Sequence, residues 1–179
     1  MVDKQVISAI HAQFRQLRNG EVVDNLAMQG ITYRIAWGLE SYHLREIAKT
    51  VVPSLELAEY LWNEDVRESK MLATRLFPAN EVSVEKALKL IEEARYVEIA
   101  DQLCMNLFSR MPLAKQLAKA LATTINDEAL KLYSGIKLAT RIELKDVELS
   151  TLSEELINGN APMFLKTAAL WYKQIYEES

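Results

Sequence analysis

The sequence has few residues that interrupt regular structure. Five glycines and four prolines stand in a chain of 179 residues, where ordinary usage would supply roughly 20. Sandwiches and barrels need many turns, so this shortage argues against them and for long helices. A single cysteine excludes a disulfide framework and any zinc site built on cysteines. No run of about 18 uncharged apolar residues occurs, so no membrane span is expected. The opening Met1-Val2-Asp3-Lys4-Gln5 lacks a charged region followed by an apolar stretch, so no secretory signal is expected and the cytoplasm is the expected compartment. Net charge is also small, −4, with a pI near 5.4. Strong non-specific attraction to nucleic acid, which needs a basic surface, is therefore not expected of the chain as a whole.

What is abundant is apolar surface, half of all residues. That rules out intrinsic disorder and suffices for a continuous core. Val6, Ala9, Ile10, Phe14 and Leu17 form a helical stripe over about 3–18, stopped near Gly20. A second helix, about 22–29, ends at Gly30, and residues 31–41 read as irregular. Ser41 and Ser54 are placed as caps of the next two helices, the first stopped before Pro53. Asp65 with Glu68 has the spacing of a capping box for a helix over 66–77. Ser83 opens another helix, followed by helices over about 97–109 and 112–123, with Pro112 in the first turn. Asn126 is expected to cap a helix over 127–143 that is apolar nearly all round and so centrally buried. A short helix starts at Thr151 and ends at Gly159, and a last one runs from Pro162 to about 177.

No segment alternates with period two. Helical hairpins recur every 30–40 residues, the rhythm of an α-solenoid, although direct identity between the pairs is weak. The expected fold is all-α: residues 1–179 as one HEAT-like domain, a right-handed α-α superhelix of five to six antiparallel hairpins. A monomer is expected.

Familiar catalytic signatures are missing. There is no glycine-rich phosphate loop, no Gly-x-Ser-x-Gly and no His-Glu-x-x-His. His11 and His43 have no metal ligand at suitable spacing, so no metal site and no cofactor are expected. Cys104 falls on an apolar stripe and reads as an inert buried thiol. Asp101 sits at the edge of the stripe made by Val97, Ala100, Cys104 and Phe108. A carboxylate there is either half-solvated or held by a partner on the next helix. Phe164, Trp171, Tyr172 and Tyr176 cluster in the last helix, a spacing that normally means core. Over 96–145, seven basic groups stand against five acidic ones. Lys115 with Lys119, and Lys137 with Arg141, each lie one turn apart, as on a solvated surface or the concave side of a solenoid.

Four segments in order carry a resemblance. Gly38-Leu39-Glu40-Ser41-Tyr42-His43-Leu44-Arg45-Glu46-Ile47-Ala48-Lys49 resembles the Gly-Val-x-x-Pro-x-Leu-Arg-x-Ile-Ala-Lys segment of the bacterial DNA alkylation repair family, the HEAT-like-repeat alkylpurine DNA glycosylases. Leu61-Trp62 with Arg67-Glu68-Ser69-Lys70-Met71-Leu72-Ala73 is similar to that family's second helical pair. Glu98-Ile99-Ala100-Asp101-Gln102 through Asn106-Leu107-Phe108 looks like the segment bearing its catalytic aspartate, and Leu165-Lys166-Thr167-Ala168 through Trp171 resembles a Val-x-Lys-Ala-x-x-Trp motif. The likeness spans about 30–175.

The resemblance implies a cleft with Asp101 as catalytic carboxylate and Trp171 as one of two tryptophans. It departs at three positions. Val97 stands where the other tryptophan is expected, with Tyr96 beside it as the candidate replacement. Leu132, after Lys131, stands where the family has an arginine, and Tyr42 replaces a proline. Hydrolysis of an N-glycosidic bond develops positive charge on the sugar, which a carboxylate and flanking indole faces stabilise. Valine offers neither a π-face nor a dipole, and leucine cannot hold a phosphate. The implied function is a DNA-binding relative of enzymes that excise cationic alkylpurines such as 7-methylguanine or 3-methyladenine, with weak or absent turnover. Its partner would be duplex DNA, alkylated in the case of a substrate, held by Arg110, Lys115, Lys119, Lys131, Lys137 and Arg141. The alternative is a non-enzymatic scaffold that binds a protein or peptide on its concave face.

Overall fold

A computed structural model of the chain describes residues 2–123 and 128–178. Among them are eleven α-helices, one 3₁₀ turn and a single isolated bridge between Ile35 and Val66. The chain divides into two compact units, Met1–Glu81 and Val82–Ser179.

In the first unit, α1 (Lys4–Gln16) is capped by Asp3, which accepts from the Gln5 amide, and buries Ile7, Ile10 and Phe14. The inward face is rotated from the expected one: Ala9 is exposed, Leu17 is 39% exposed, and Ile7 takes their place. Asn19 caps α2 (Gly20–Met28), two residues earlier than expected. Gly30 follows with φ 75°, the left-handed conformation anticipated for it. α3 (Ser41–Lys49) is capped by Glu40 rather than Ser41, through a reciprocal arrangement with His43. Ser41 Oγ instead accepts from Arg75 Nη2 at 2.6 Å. Ser54 caps α4 (Leu55–Asn63) as expected, and a short link leads into α5 (Arg67–Leu76), which packs on both α4 and α3.

The capping box proposed for Asp65 and Glu68 does not form, because Glu68 has a different task. The N-cap of α5 is Val66, with no side-chain cap. Glu68, fully buried, turns to the irregular segment and accepts from the amides of Trp37 (2.9 Å), Gly38 (3.0 Å) and Leu39 (3.3 Å). Arg67, also buried, donates to the Leu39 carbonyl at 2.9 Å and to Glu68 Oε1 at 3.1 Å. A buried carboxylate thus satisfies three backbone donors that no helix or strand would satisfy. Gly38 (φ 78°) is required here twice over, since a Cβ would lie 2.0 Å from the Asn19 carbonyl oxygen.

In the second unit, Ser83 caps α6 (Val84–Glu93) as expected. The helix expected over 97–109 is α7 (Val97–Asn106) followed by a separate 3₁₀ turn, Phe108–Arg110. α8 (Ala114–Ala122) begins two residues after Pro112, which lies in the preceding turn rather than in the helix. Asn126, the expected cap of the long helix, is outside the described residues. That helix, α9 (Ala129–Arg141), buries residues on several sides, as its all-round apolar pattern predicted. Its Gly135 lets α8 approach closely: an added Cβ would lie 2.7 Å from the Ala122 nitrogen. α10 (Val147–Asn158) starts a turn before Thr151, because Asp146 supplies the cap to the Leu149 amide, and Gly159 ends it. α11 (Met163–Glu177) completes the unit.

Three hairpins stand out by packing, α4–α5, α8–α9 and α10–α11. Across the second unit α9 also contacts α7 and α11. Helices α7, α9 and α11 therefore form a layer, with α9 and α11 the second helices of their hairpins, as expected for a helical repeat.

Candidate functional site

The layer α7–α9–α11 carries an open pocket of about 730 Å³. α7 contributes Asp101, Gln102, Cys104 and Met105; α9 contributes Tyr133, Lys137, Thr140 and Arg141; α11 contributes Phe164, Thr167, Ala168, Trp171 and Ile175. Helix periodicity explains the α9 set, because Tyr133, Lys137 and Arg141 follow at i, i+4 and i+8 and share one face.

Asp101 is held by a partner on the neighbouring helix, one of the two arrangements its edge position allowed. Its Oδ1 accepts from the Tyr133 hydroxyl at 2.7 Å, and Lys137 Nζ lies 3.6 Å away. The carboxylate is about one-third exposed (34%). Tyr133 itself is buried and packs edge-to-face on Phe164, centroids 5.5 Å apart. Burial, reinforced by the hydrogen bond to Asp101, pushes its phenol well above the usual tyrosine range, so the hydroxyl stays a donor. Lys137 Nζ is also 5.9 Å from the Tyr133 ring centroid. Beneath them Cys104 is 1% exposed and its thiol donates to the Ser134 carbonyl. Burial first, then the charge of Asp101, raises the thiol to about 12.

Trp171 opens into the same pocket and is 64% exposed, whereas its neighbour Tyr172 is buried with its hydroxyl donating to the Leu144 carbonyl. The aromatic cluster of α11 is thus part core and part surface, a division that helical spacing alone does not make. Tyr96, by contrast, is the N-cap residue of α7 and is not among the residues lining the pocket, and neither are Val97 or Leu132.

The candidate DNA-contacting cations separate into three groups. Lys137 and Arg141 line the pocket. Lys119 and Lys131 are engaged elsewhere: Lys119 pairs with Asp146 at 2.5 Å, and Lys131 with Glu128 at 2.5 Å and Glu92 at 2.9 Å. These hydrogen bonds raise both lysines above their ordinary values, and the Lys119 bond lowers Asp146 in turn. Arg110 donates Nε to the Asn106 carbonyl, and Lys115 is exposed beside Ser109, Pro112 and Ile142. The residue that sequence reasoning missed is Tyr133, which shares the i, i+4, i+8 face with Lys137 and Arg141 but has the spacing of a core aromatic. Among the described residues no group of three or more His, Cys, Asp or Glu side chains is arranged to hold a metal ion, and no helix is long and apolar enough to cross a membrane.

One solved structure superposes with a TM-score of 0.78, at 15% identity, over 92% of this chain and 73% of its own. It represents a new family of proteins related to the HEAT-like repeat DNA glycosylases, with affinity for branched DNA structures. The likeness makes this chain's fold a HEAT-like helical repeat. No curated protein matches the sequence. Residues 5–130 match the DNA alkylation repair enzyme family, a stretch that includes the buried Arg67–Glu68 pair and Asp101, and the chain belongs to that family.

Proposed function

We propose that this protein binds DNA through the face of the Val82–Ser179 unit that carries Asp101, Lys137, Arg141 and Trp171, and that it releases alkylated bases little faster than they depart spontaneously. The supporting observation is the position of Lys137, 3.6 Å from Asp101 Oδ1 within the pocket. A carboxylate speeds glycosidic cleavage by stabilising positive charge that grows on the sugar. Here an ammonium group and the Tyr133 hydroxyl already take up its field, while the second indole is absent at Val97. The same ammonium, with Arg141 one turn on, suits a phosphate. Asp101 then positions Lys137 and Tyr133 for a nucleic acid more than it acts on a bond.

The solved relative's affinity for branched DNA makes branched substrates the natural companions to linear duplex in any test. Labelled duplex and a four-way junction should be titrated by fluorescence anisotropy at several salt concentrations. With Lys119 and Lys131 tied to carboxylates, about two to four phosphate contacts remain, so log affinity should fall with log salt at a slope of about −2 to −3.5. No binding at low salt, or a response flat in salt, turns the reading to a scaffold for a protein or peptide. Met163 (77% exposed) and Leu170 (53%) on α11 are the apolar groups such a partner would cover.

A further inference from the structure

We propose that two copies of this protein associate through the outward face of α11, the two helices packed antiparallel about Leu170. This face takes no part in the DNA-binding reading above.

α11 packs mainly on α9 and α10, and it buries Leu165, Ala168, Ala169 and Tyr172 against them. Its pocket-lining residues Phe164, Ala168 and Ile175 stand about 120–160° round the helix from Leu170, at about 100° per residue. The face centred on Leu170 is therefore turned away from the pocket. Met163 and Leu170 run along its middle, 77% and 53% exposed. Thr167 and Gln174 lie on one flank, and Lys166, Lys173 and Glu177 on the other. The outward face of an amphipathic helix is ordinarily polar. Two large apolar side chains in one line along it, with no charge between them, mark a surface for further packing.

Charge selects the occupant and its direction. Glu154 of α10 and Glu177 share one cation, Lys173, which lies 3.7 Å from the first and 3.4 Å from the second. That cluster is short of one positive charge. Lys166, on the same flank, has no ion-pair partner among the described residues. It stands about three turns before Glu177, too far to meet it within one helix. A two-fold axis through Leu170 sets Lys166 of one copy opposite Gln174 of the other. Glu177 of that other copy is then about 4.5 Å further along the helix, within the reach of a lysine stem. Each copy so supplies the cation that the other's cluster lacks, and the exchange occurs twice by symmetry. The two Leu170 side chains meet on the axis. Parallel pairing would set Lys166 against Lys166 and Glu177 against Glu177, which repels. A contact one helix wide covers less than the about 1,200 Å² of a standard interface, so association is weak and the dilute protein is monomeric.

The test is sedimentation equilibrium of the full chain at low salt, over concentrations from low micromolar to about 1 mM. The mean mass should climb from 20.4 kDa toward twice that value. Leu170→Glu places two carboxylates against each other on the axis and should weaken association about 10-fold or more. Lys166→Glu and Glu177→Lys should each weaken it about 3- to 10-fold, and the double variant carrying both should recover most of that loss. Circular dichroism checks that every variant is folded. The mass of a single chain at every concentration overturns the proposal, and so does a dimer that Leu170→Glu leaves intact. Charge reversals that fail to weaken the dimer singly, or fail to restore it together, overturn it as well.

Discussion

Tyr133 on α9 donates its hydroxyl to Asp101 on α7 across 2.7 Å, and this bond sets the orientation of the one carboxylate in the pocket. Its geometry follows from the packing of the two helices. Tyr133 is anchored from behind by Phe164 of α11, so α11 braces a bond made between α7 and α9. Lys137, one turn on from Tyr133, reaches the same oxygen. The carboxylate is thereby held as a component of the pocket wall.

Removal of the Tyr133 hydroxyl should therefore have a small effect on stability and a distinct effect on pH dependence. Tyr133→Phe keeps the buried ring and loses one hydrogen bond to a partly exposed carboxylate, which should cost about 1 kcal/mol in urea denaturation. The folded phenol holds its proton to higher pH than the unfolded one. Its contribution is therefore complete below about pH 10, where the unfolded phenol is also protonated, and shrinks as pH rises above that value. The parent should lose stability above pH 10 more steeply than Tyr133→Phe. Parallel curves for the two proteins would mean that the phenol does not carry this linkage.

Cys104 lies directly behind Asp101 and should be chemically silent in the folded protein. With the thiol raised to about 12 by burial and by Asp101, almost no thiolate exists at pH 8. A thiol-specific chromogenic reagent should label about one cysteine per chain in denaturant and almost none without it. Rapid labelling of the native protein would show that this part of α7 opens readily.

Much of the architecture was legible before the structure, and the exceptions share a cause. Ser54 and Ser83 were identified as caps because an N-cap is a local device, read from a few consecutive residues. Glu68 was misread because its spacing from Asp65 fits a local motif, whereas its partners lie some 30 residues earlier in sequence. Thr151 was placed at a helix start for a similar reason, with Asp146 the stronger cap one turn before it. At the site, Asp101 and Trp171 were singled out by the family resemblance, since helical position alone read an edge carboxylate and a core aromatic. Tyr133 was not, because a tyrosine on a helix apolar all round looks like core until its partner is known. Which of the six cations would be tied to carboxylates was only partly within a linear reading: Glu128 stands one turn before Lys131, whereas Asp146 and Glu92 reach Lys119 and Lys131 through tertiary packing.

Glu68 gives the sharpest stability prediction. It is fully buried, it satisfies the amides of Trp37, Gly38 and Leu39, and it faces the buried Arg67 guanidinium. Glu68→Ala removes all of these acceptors together with the carboxylate that faces the buried Arg67 guanidinium, a change that commonly costs about 3–5 kcal/mol. Glu68→Gln keeps one carbonyl acceptor and should cost less. Denaturation monitored by the fluorescence of Trp37, in a chain whose other two tryptophans are replaced by phenylalanine, reports on the segment itself. A loss below about 1 kcal/mol for the alanine variant would show that residues 31–40 are held by something other than this carboxylate.

Release of 7-methylguanine from alkylated duplex should lie close to the spontaneous rate, because Val97 supplies no indole and Tyr96 stands outside the pocket. Losing one preorganised electrostatic group commonly costs about 10²–10³ in rate. Lys137 adds to that loss, since its positive charge sits beside the carboxylate that would face a cationic sugar. At a separation of about 6 Å in a partly solvated site, two like charges repel by about 0.7–1.4 kcal/mol. Lys137→Met keeps the aliphatic stem and removes the charge, so base release should rise by about 3- to 10-fold. It should do so only while Asp101 is intact, and the double variant with Asp101→Asn should fall back to the spontaneous rate. Measurement requires liquid-chromatographic quantitation of free base over hours, with the DNA held saturated by protein so that weaker binding by the methionine variant does not mask the effect. A parent protein already far above background and sensitive to Asp101→Asn would make the pocket a working glycosylase site in spite of Lys137. No rise in Lys137→Met would show that the lysine does not restrain the carboxylate.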